Sequence, residues 1–259
     1  NYGKKRKILG ISFFGSNLDK LLNELFRRLR NKEKNIWIAT LNPEFIMLMK
    51  NDKKFADIID KSNIKVIDGI GLIWADYVLK KKKGVGRWWQ ALKTGVAILK
   101  GDKRQEVISG SDLMGEICKK GKSKVYFLGG WDDRAKRSAN YFKLRNKKLE
   151  MGYSCGEPEI VNEKVIKDIN KFKPDFLFVA YGMKKQEEWI AANLKKLDVG
   201  VVMGVGRSFD YYSGALERAP KWARKMGMEW FYSLIREPKR WKRQLILPKF
   251  VWMVLTEVT

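Results

Sequence analysis

Five short stretches set hydrogen-bonding or ionisable side chains beside glycine or proline. In Thr40-Leu41-Asn42-Pro43-Glu44, small polar groups at the end of an apolar run can hydrogen-bond a sugar or a nucleotide. Asn42 can equally cap the helix that Pro43 would begin. In Ile67-Asp68-Gly69-Ile70-Gly71 a carboxylate follows an apolar run directly, and the glycines let a ligand or a second backbone come close. Asp68 suits a general base that takes the proton from an acceptor hydroxyl. A plain Asp-Gly turn is the alternative. Gly182-Met183-Lys184-Lys185-Gln186-Glu187 puts Gln186 in the first turn of a helix, where free N–H groups and the helix dipole attract phosphate. Lys184 and Lys185 would add charge, or simply form a solvated pair. Gly204-Val205-Gly206-Arg207-Ser208-Phe209-Asp210 has two glycines of a dinucleotide fingerprint, but Phe209 replaces the third and the stretch comes too late in the chain. It reads instead as a glycine-rich loop with Arg207 near a diphosphate. Gly129-Gly130 is a further phosphate- or base-binding turn.

These stretches need elements that hold them. Strand candidates are 8–14, 35–41, 65–67, 124–128, 175–181 and 199–205, rich in Val, Ile, Phe and Tyr. Helical periodicity lies between them. Leu18, Leu21, Leu22, Leu25, Phe26 and Leu29 make one apolar stripe, with Ser16 or Asn17 as its cap. Further helices are expected near 44–50, 54–61, 71–80, 112–119, 134–143, 163–172 and 186–195. Such alternation predicts an α/β fold: a Rossmann-like, mostly parallel sheet with helices on both faces. Ligands in these folds bind beyond the carboxyl ends of the strands, where the stretches above fall.

Two segments break the rhythm. Residues 80–104 hold the run Lys80–Lys83, a Gly84-Val85-Gly86 hinge, Trp88 and Trp89, and an apolar stripe through Leu92, Val96 and Leu99. The tail 217–259 interleaves Lys and Arg with Trp222, Trp230, Phe231, Tyr232, Trp241 and Trp252. Cations beside interfacial aromatics suit an anionic membrane surface. Trp88, Trp89, Trp241, Arg240 and Arg243 are the expected contacts, although a helix pair packed on the core also fits the tail. The predicted organisation is a catalytic domain over 1–216, with 80–104 as a membrane-contacting insert, and a helical basic appendage over 217–259.

Composition narrows the chemistry. The chain of 259 residues carries 54 Lys and Arg against 29 Asp and Glu, a net charge of +25, which favours polyanionic partners. It has no histidine, which excludes Ser-His-Asp and Cys-His catalysis and every His-ligated metal site. Cys118 and Cys155 form no CxxC pair and read as simple thiols in a reducing compartment. Asp132-Asp133 is adjacent rather than an Asp-x-Asp pair, so no metal or other cofactor is expected. Arg, Lys and helix N-termini would neutralise a departing diphosphate instead. No run of 18 apolar residues and no secretory signal is read, so the expected location is the cytoplasmic side, free or on the membrane face.

Taken together, the blocks resemble the WecG/TagA/CpsF family, glycosyltransferase family 26. The resemblance rests on Thr40-x-Asn42-Pro43-Glu44, Asp68-Gly69-x-Gly71, Ser109-Gly110-Ser111-Asp112, Gly129-Gly130 and Gly182-x-x-Lys185-Gln186-Glu187-x-Trp189. It continues through Gly204-Val205-Gly206-x-Ser208-Phe209-Asp210, Arg218-Ala219-Pro220, Glu229-Trp230 and Arg236-Glu237-Pro238. It implies an inverting transferase that moves a sugar from a UDP-sugar to a polyprenyl-diphosphate-linked acceptor in cell-surface polysaccharide synthesis. It implies Asp68 as the base, a site lined by Thr40, Asn42 and Gln186, and an appendage whose Arg218, Arg224 and Arg236 help close that site at the membrane. The chain departs from the pattern at Val107, where the family places an arginine. Arg104 or Arg207 can supply that charge. Met183-Lys184 replaces a usual Ala-Pro. A non-catalytic scaffold of the same fold is one alternative. A basic nucleic-acid binder is another, although no recognised nucleic-acid motif supports it and nucleic acid is not the expected partner. A homo-oligomer, with the tail packed on a neighbour, stays open.

Overall fold

The segment Ile36–Leu41 is apolar on both sides, and every one of its residues is buried. Ile36 and Ile38 enter one core cluster, while Ala39 and Leu41 enter a second and Trp37 a third. A strand apolar on both faces belongs inside a covered parallel sheet. In the computed structural model, which describes residues 6–102, 106–156, 162–238 and 241–256 (backbone alone at 242 and 243), this is β3 of a six-stranded sheet. Its companions are β4 (Ile64–Ile67), β5 (Lys124–Gly129), β6 (Glu150–Ser154), β7 (Phe176–Ala180) and β8 (Val201–Gly204). The order is β4-β3-β8-β7-β5-β6, and every pairing is parallel.

Helices cover both faces. On one lie α1 (Leu18–Arg30), α6 (Gly110–Lys119), α7 (Arg134–Arg145) and α10 (Ser208–Tyr212), contributing Leu21, Leu25, Met114, Phe142 and Phe209 to the first cluster. On the other, α8 (Glu163–Phe172) and α9 (Lys185–Asn193) bring Ile166, Ile169, Trp189 and Ile190 against Trp37 and Val179. Asn17 proves to be the cap of α1, accepting the Lys20 N–H at 3.1 Å. The expectation of a Rossmann-like α/β fold is met, and the sheet is wholly parallel.

Two strand assignments change. Residues 8–14 are not one strand. They belong to an antiparallel hairpin of β1 (Arg6–Ile8) and β2 (Ile11–Phe13), outside the main sheet. Leu9 and Gly10 both have positive φ, 50° and 81°, so the chain reverses there in the manner of a two-residue hairpin turn. β6, at one edge of the sheet, carries no apolar run, and none of its residues is buried, whereas β4 at the other edge is apolar but for Lys65 and mostly covered.

The third cluster of helices builds the wall of the site. After β3 come α2 (Pro43–Asn51) and α3 (Lys53–Asp60), and after β4 comes α4 (Ile70–Leu79). Then α5 (Val85–Leu99) follows, with Gly84 as its N-cap at φ 132°. The expected Gly84–Gly86 hinge is therefore a helix start, with Gly86 already inside α5. Beyond residue 216 the described residues form not a helix pair but α11 (Lys221–Lys225), α12 (Glu229–Arg236), α13 (Trp241–Gln244) and α14 (Ile246–Thr256). Helix α14 packs on α2, α4 and α5, burying Phe250, Val254 and Leu255 among Phe45, Ile73 and Ala91. The wholly buried Arg87 of α5 ties the two segments by donating to the carbonyls of Lys81 at 3.0 Å and Val254 at 3.4 Å. Removing the ring of Phe250 opens a cavity at this junction. Phe250→Ala is expected to lower stability by about 3–5 kcal/mol in urea denaturation. A loss below about 1 kcal/mol would show that α14 is not part of the core.

Candidate active site

The carboxyl ends of β3 and β4 lie side by side, with Leu41 opposite Ile67. Two helices start immediately beyond them, and their N-termini are held close. Asn42 caps α2, its Oδ1 accepting the N–H groups of Glu44 at 2.9 Å and Phe45 at 3.2 Å. Gly69, at φ 112°, begins α4, and a Cβ added at Gly71 would stand 2.7 Å from Cγ of Pro43. No larger residue fits at Gly71 without moving one helix off the other. Asp68 sits at the turn between strand and helix, half-buried, its N–H donating to the Leu41 carbonyl at 2.7 Å. A third N-terminus, that of α6, approaches from the side, where a Cβ at Gly110 would lie 3.4 Å from the Thr40 methyl.

A cleft of about 600 Å³ opens above these ends. Its polar end is walled by Asn42, Glu44, Asp68, Ser109, Arg224 and Glu229. Three helix N-termini converge here; that of α2 is closed by Pro43 and the Asn42 cap, while α4 and α6 start without a side-chain cap and give this end a positive field that suits an anion. Arg224 adds a cation; it lies 3.6 Å from Asp112 and donates to the Ala219 carbonyl at 3.0 Å. The other end is apolar. Ile98 and Leu99 of α5 face Leu247, Phe250 and Val251 of α14 across it. Arg218 joins the two parts of the rim. It pairs with Asp112 of α6 at 2.6 Å and Glu229 of α12 at 3.2 Å, and reaches the Ser109 hydroxyl at 3.4 Å.

The expected site residues divide into three groups. Asn42, Asp68, Gly69 and Arg224 line the cleft. Thr40 lies beneath it, buried under the start of α6. Gly206, Gly182, Gly129 and Gly130 fall farther along the same rim, at the ends of β8, β7 and β5, all with positive φ. Open space lies above Gly206 and Gly182, where an added Cβ meets nothing within 4 Å. Gln186 does not line the cleft. It is buried, accepting the Gly206 N–H at 2.9 Å and donating to Glu187 at 2.7 Å, so its amide fixes the rim loop from below. Lys185 is exposed on α9, while Lys184 turns away to pair with Asp52 at 2.8 Å. Arg207 pairs with Glu237 and, at 3.4 Å, with Asp210, which also holds Arg134 at 2.6 Å. Arg236 pairs with Glu217 and Tyr232, away from the cleft wall. Arg104, Arg240 and the side chain of Arg243 lie outside the described residues. Among the described residues, no three His, Cys, Asp or Glu side chains gather into a possible metal site.

The apolar half of the cleft, together with Ser109 and Glu229, has no counterpart in the expected site. Ser109 and Glu229 stand inside quoted motifs, so the sequence marked their positions without marking their exposure to a cleft. Gly95 and Val251 carry no sequence signal, because the pairing of α5 with α14 is purely tertiary.

Comparison with known proteins supports the motif-based resemblance. The profile of the "Glycosyl transferase WecG/TagA/CpsF family" matches residues 6–87 and 90–259, passing over Trp88 and Trp89. A Bacillus subtilis (strain 168) protein is 30% identical over 256 residues, 96% of this chain and 91% of its own length. It is an N-acetylglucosaminyldiphosphoundecaprenol N-acetyl-beta-D-mannosaminyltransferase. A protein of the same name from Staphylococcus aureus (strain MW2) is 28% identical over 254 residues, 96% of this chain and 92% of its own length.

A buried carboxylate, Glu187 of α9, lies beneath the rim loop. Burial pushes the Glu187 carboxyl up from 4.5 to about 7, even though the Gln186 amide and the Lys184 N–H both favour its ionised form. A raised folded-state value stabilises the fold fully below the ordinary value, and that contribution is lost as pH rises through about 7. Melting temperature is therefore expected to fall between about pH 5 and pH 8, by up to roughly 2–3 kcal/mol of stability. The chain has no histidine to mimic this. Glu187→Gln is expected to flatten the slope; an unchanged slope in the variant would assign it elsewhere.

Proposed function

Because the chain belongs to the WecG/TagA/CpsF glycosyltransferase family, we propose that it transfers a sugar from a UDP-sugar to a polyprenyl-diphosphate-linked acceptor with inversion. Its relatives act as N-acetylmannosaminyltransferases on N-acetylglucosaminyldiphosphoundecaprenol. The same pair, N-acetylmannosamine as the transferred sugar and a lipid-diphosphate-linked N-acetylglucosamine as acceptor, is the reading we adopt. The observation that carries it is the half-buried Asp68 carboxylate on the wall of a cleft ringed by helix N-termini.

In this reading Asp68 takes the proton from the acceptor hydroxyl. The hydroxyl oxygen then attacks the anomeric carbon from the face opposite the nucleotide. The new glycosidic bond forms as the bond from that carbon to the diphosphate oxygen breaks, and UDP leaves with the electron pair. General-base help of this kind is worth about 10²–10⁴ in rate. The departing charge is held by Arg224, the N–H groups at the starts of α4 and α6, and the rim loop at Gly206, with Arg207 and Asp210 behind it. These donors are fixed before reaction, which is why no metal is assigned to the task. Thr40, Gln186, Gly129, Gly130, Gly182 and Lys185 then serve the rim on which the nucleotide rests; Arg218 fastens the appendage over it, and Arg236 braces the appendage internally through Glu217 and Tyr232.

The membrane surface is the second part of the proposal. Among the described residues no helix is long and apolar enough to cross a membrane. Helix α5 has a packed inner face of Arg87, Ala91, Thr94 and Ile98, yet its outer face exposes Trp88, Trp89, Leu92 and Val96, with Trp89 at 69%. Lys80–Lys83 precede this face and Trp230, Trp241 and Trp252 stand exposed on the appendage. Apolar rings flanked by lysines fit the anionic surface of the cytoplasmic leaflet, where a lipid-linked acceptor would be met.

Asp68→Asn is expected to lower kcat at least about 100-fold in a UDP-release assay, with UDP affinity changed less than about threefold. Addition of EDTA is expected to leave the parent rate unchanged. Activity of the variant within about tenfold of the parent would remove Asp68 from the base role. A double Trp88→Ser, Trp89→Ser variant is expected to bind anionic vesicles at least about tenfold more weakly in flotation. Equal flotation would place the membrane contact elsewhere.

A further inference from the structure

The cleft is asymmetric, and its apolar half does not end at a wall. Ile98 and Leu99 of α5 line one side of it and Leu247 and Val251 of α14 the other. Leu99 is 52% exposed and Val251 39%, so the gap between the helices opens to the surface. Gly95 forms a notch in its edge. It lines the cleft, has ordinary helical backbone, and an added Cβ would meet nothing within 4 Å. Trp88, Leu92, Gly95 and Leu99 follow one another at helical spacing, which makes a continuous apolar track along α5 from the surface to the cleft.

We propose that this gap is a lateral port which takes the isoprenoid chain of the acceptor, with Gly95 and Val251 as its two jambs. The inference rests on the glycosyl-transfer reading above and adds to it the place where the lipid lies. The chemistry of the two ends points to one ligand class. The polar end offers helix N-termini and Arg224 to a diphosphate, while the far end offers side chains that cannot hydrogen-bond. A long alkyl chain carrying an anionic head matches both ends at once. The port also opens on the side of α5 that exposes Trp88 and Leu92 and follows the lysine run 80–83, where an anionic leaflet would lie. A chain entering there would keep its distal isoprene units in the lipid phase while its sugar reached Asp68.

The notch makes the idea testable without disturbing the core. Gly95→Phe extends into the gap from α5 at a position where the first added carbon meets nothing within 4 Å and where glycine is a poor helix former. Val251→Trp fills it from α14. Full-length protein would be assayed with N-acetylglucosaminyl diphosphate carrying either an undecaprenyl or a geranyl chain, both in the same detergent micelles so that vesicle binding does not limit the rate. Each variant is expected to lower the undecaprenyl-to-geranyl ratio of kcat/KM by about tenfold or more, chiefly through the undecaprenyl KM. The Gly95→Phe melting temperature is expected to match or exceed the parent's. A ratio unchanged in a folded variant at either position would overturn the port. If the parent protein used neither acceptor with any UDP-sugar, the underlying transfer reading would fail, and the port with it.

Discussion

The contact between Pro43 and the bare backbone of Gly71 sets the geometry of the whole site. Two parallel strands end together, and each is followed at once by a helix. Ordinary side chains at the helix starts would force them apart. A single methyl at Gly71 would overlap the proline ring, so the glycine permits an approach that brings Asn42 and Asp68 to neighbouring positions. The consequences are electrostatic. The starts of α4 and α6 carry N–H groups with neither intrahelical partners nor side-chain caps, and convergence brings them beside one carboxylate. A site that must ionise a hydroxyl and receive a diphosphate needs both features within a few ångströms of each other.

The remainder of the molecule makes that arrangement durable. The sheet behind it is buried on both faces, which fixes where the strands end. Arg218 links the first turns of α6 and α12 through Asp112 and Glu229, so the appendage is fastened to the same rim that holds the site. Helix α14 is fastened independently by Phe250 and by the carbonyl of Val254, which receives the buried Arg87. The cleft is therefore bounded below by backbone ends and on its flank by two helices distant in sequence. One boundary supplies polarity and the other supplies an apolar surface, a division that suits a substrate with a charged head and a hydrocarbon tail.

Much of this was legible in the residues. Interior parallel strands are covered on both faces, so Ile36–Leu41, apolar but for Thr40, and Phe176–Ala180 announce themselves. The helix stripes and the polar stretches at strand ends were equally plain, and Asn42, Asp68, Gly69 and Arg224 do come together. What was hidden depends on partners distant in sequence. The strand β6 has no apolar signature because none of its residues is buried. The hairpin at residues 6–13 has the composition of a single strand, and two positive-φ residues decide otherwise. Gln186 has a side chain suited to ligand binding, and only burial beneath Gly206 shows that it braces the rim. The packing of α5 on α14 leaves no periodicity in either segment that names the other.

A crystal structure of the protein with UDP and a short-chain lipid-diphosphate N-acetylglucosamine bound would test the central claim most directly. The acceptor hydroxyl is expected within hydrogen-bond distance of the Asp68 carboxylate, with the UDP diphosphate against the helix N-termini and the Gly206 loop. A nucleotide seated away from that rim, or an acceptor sugar that leaves Asp68 facing water, would contradict it.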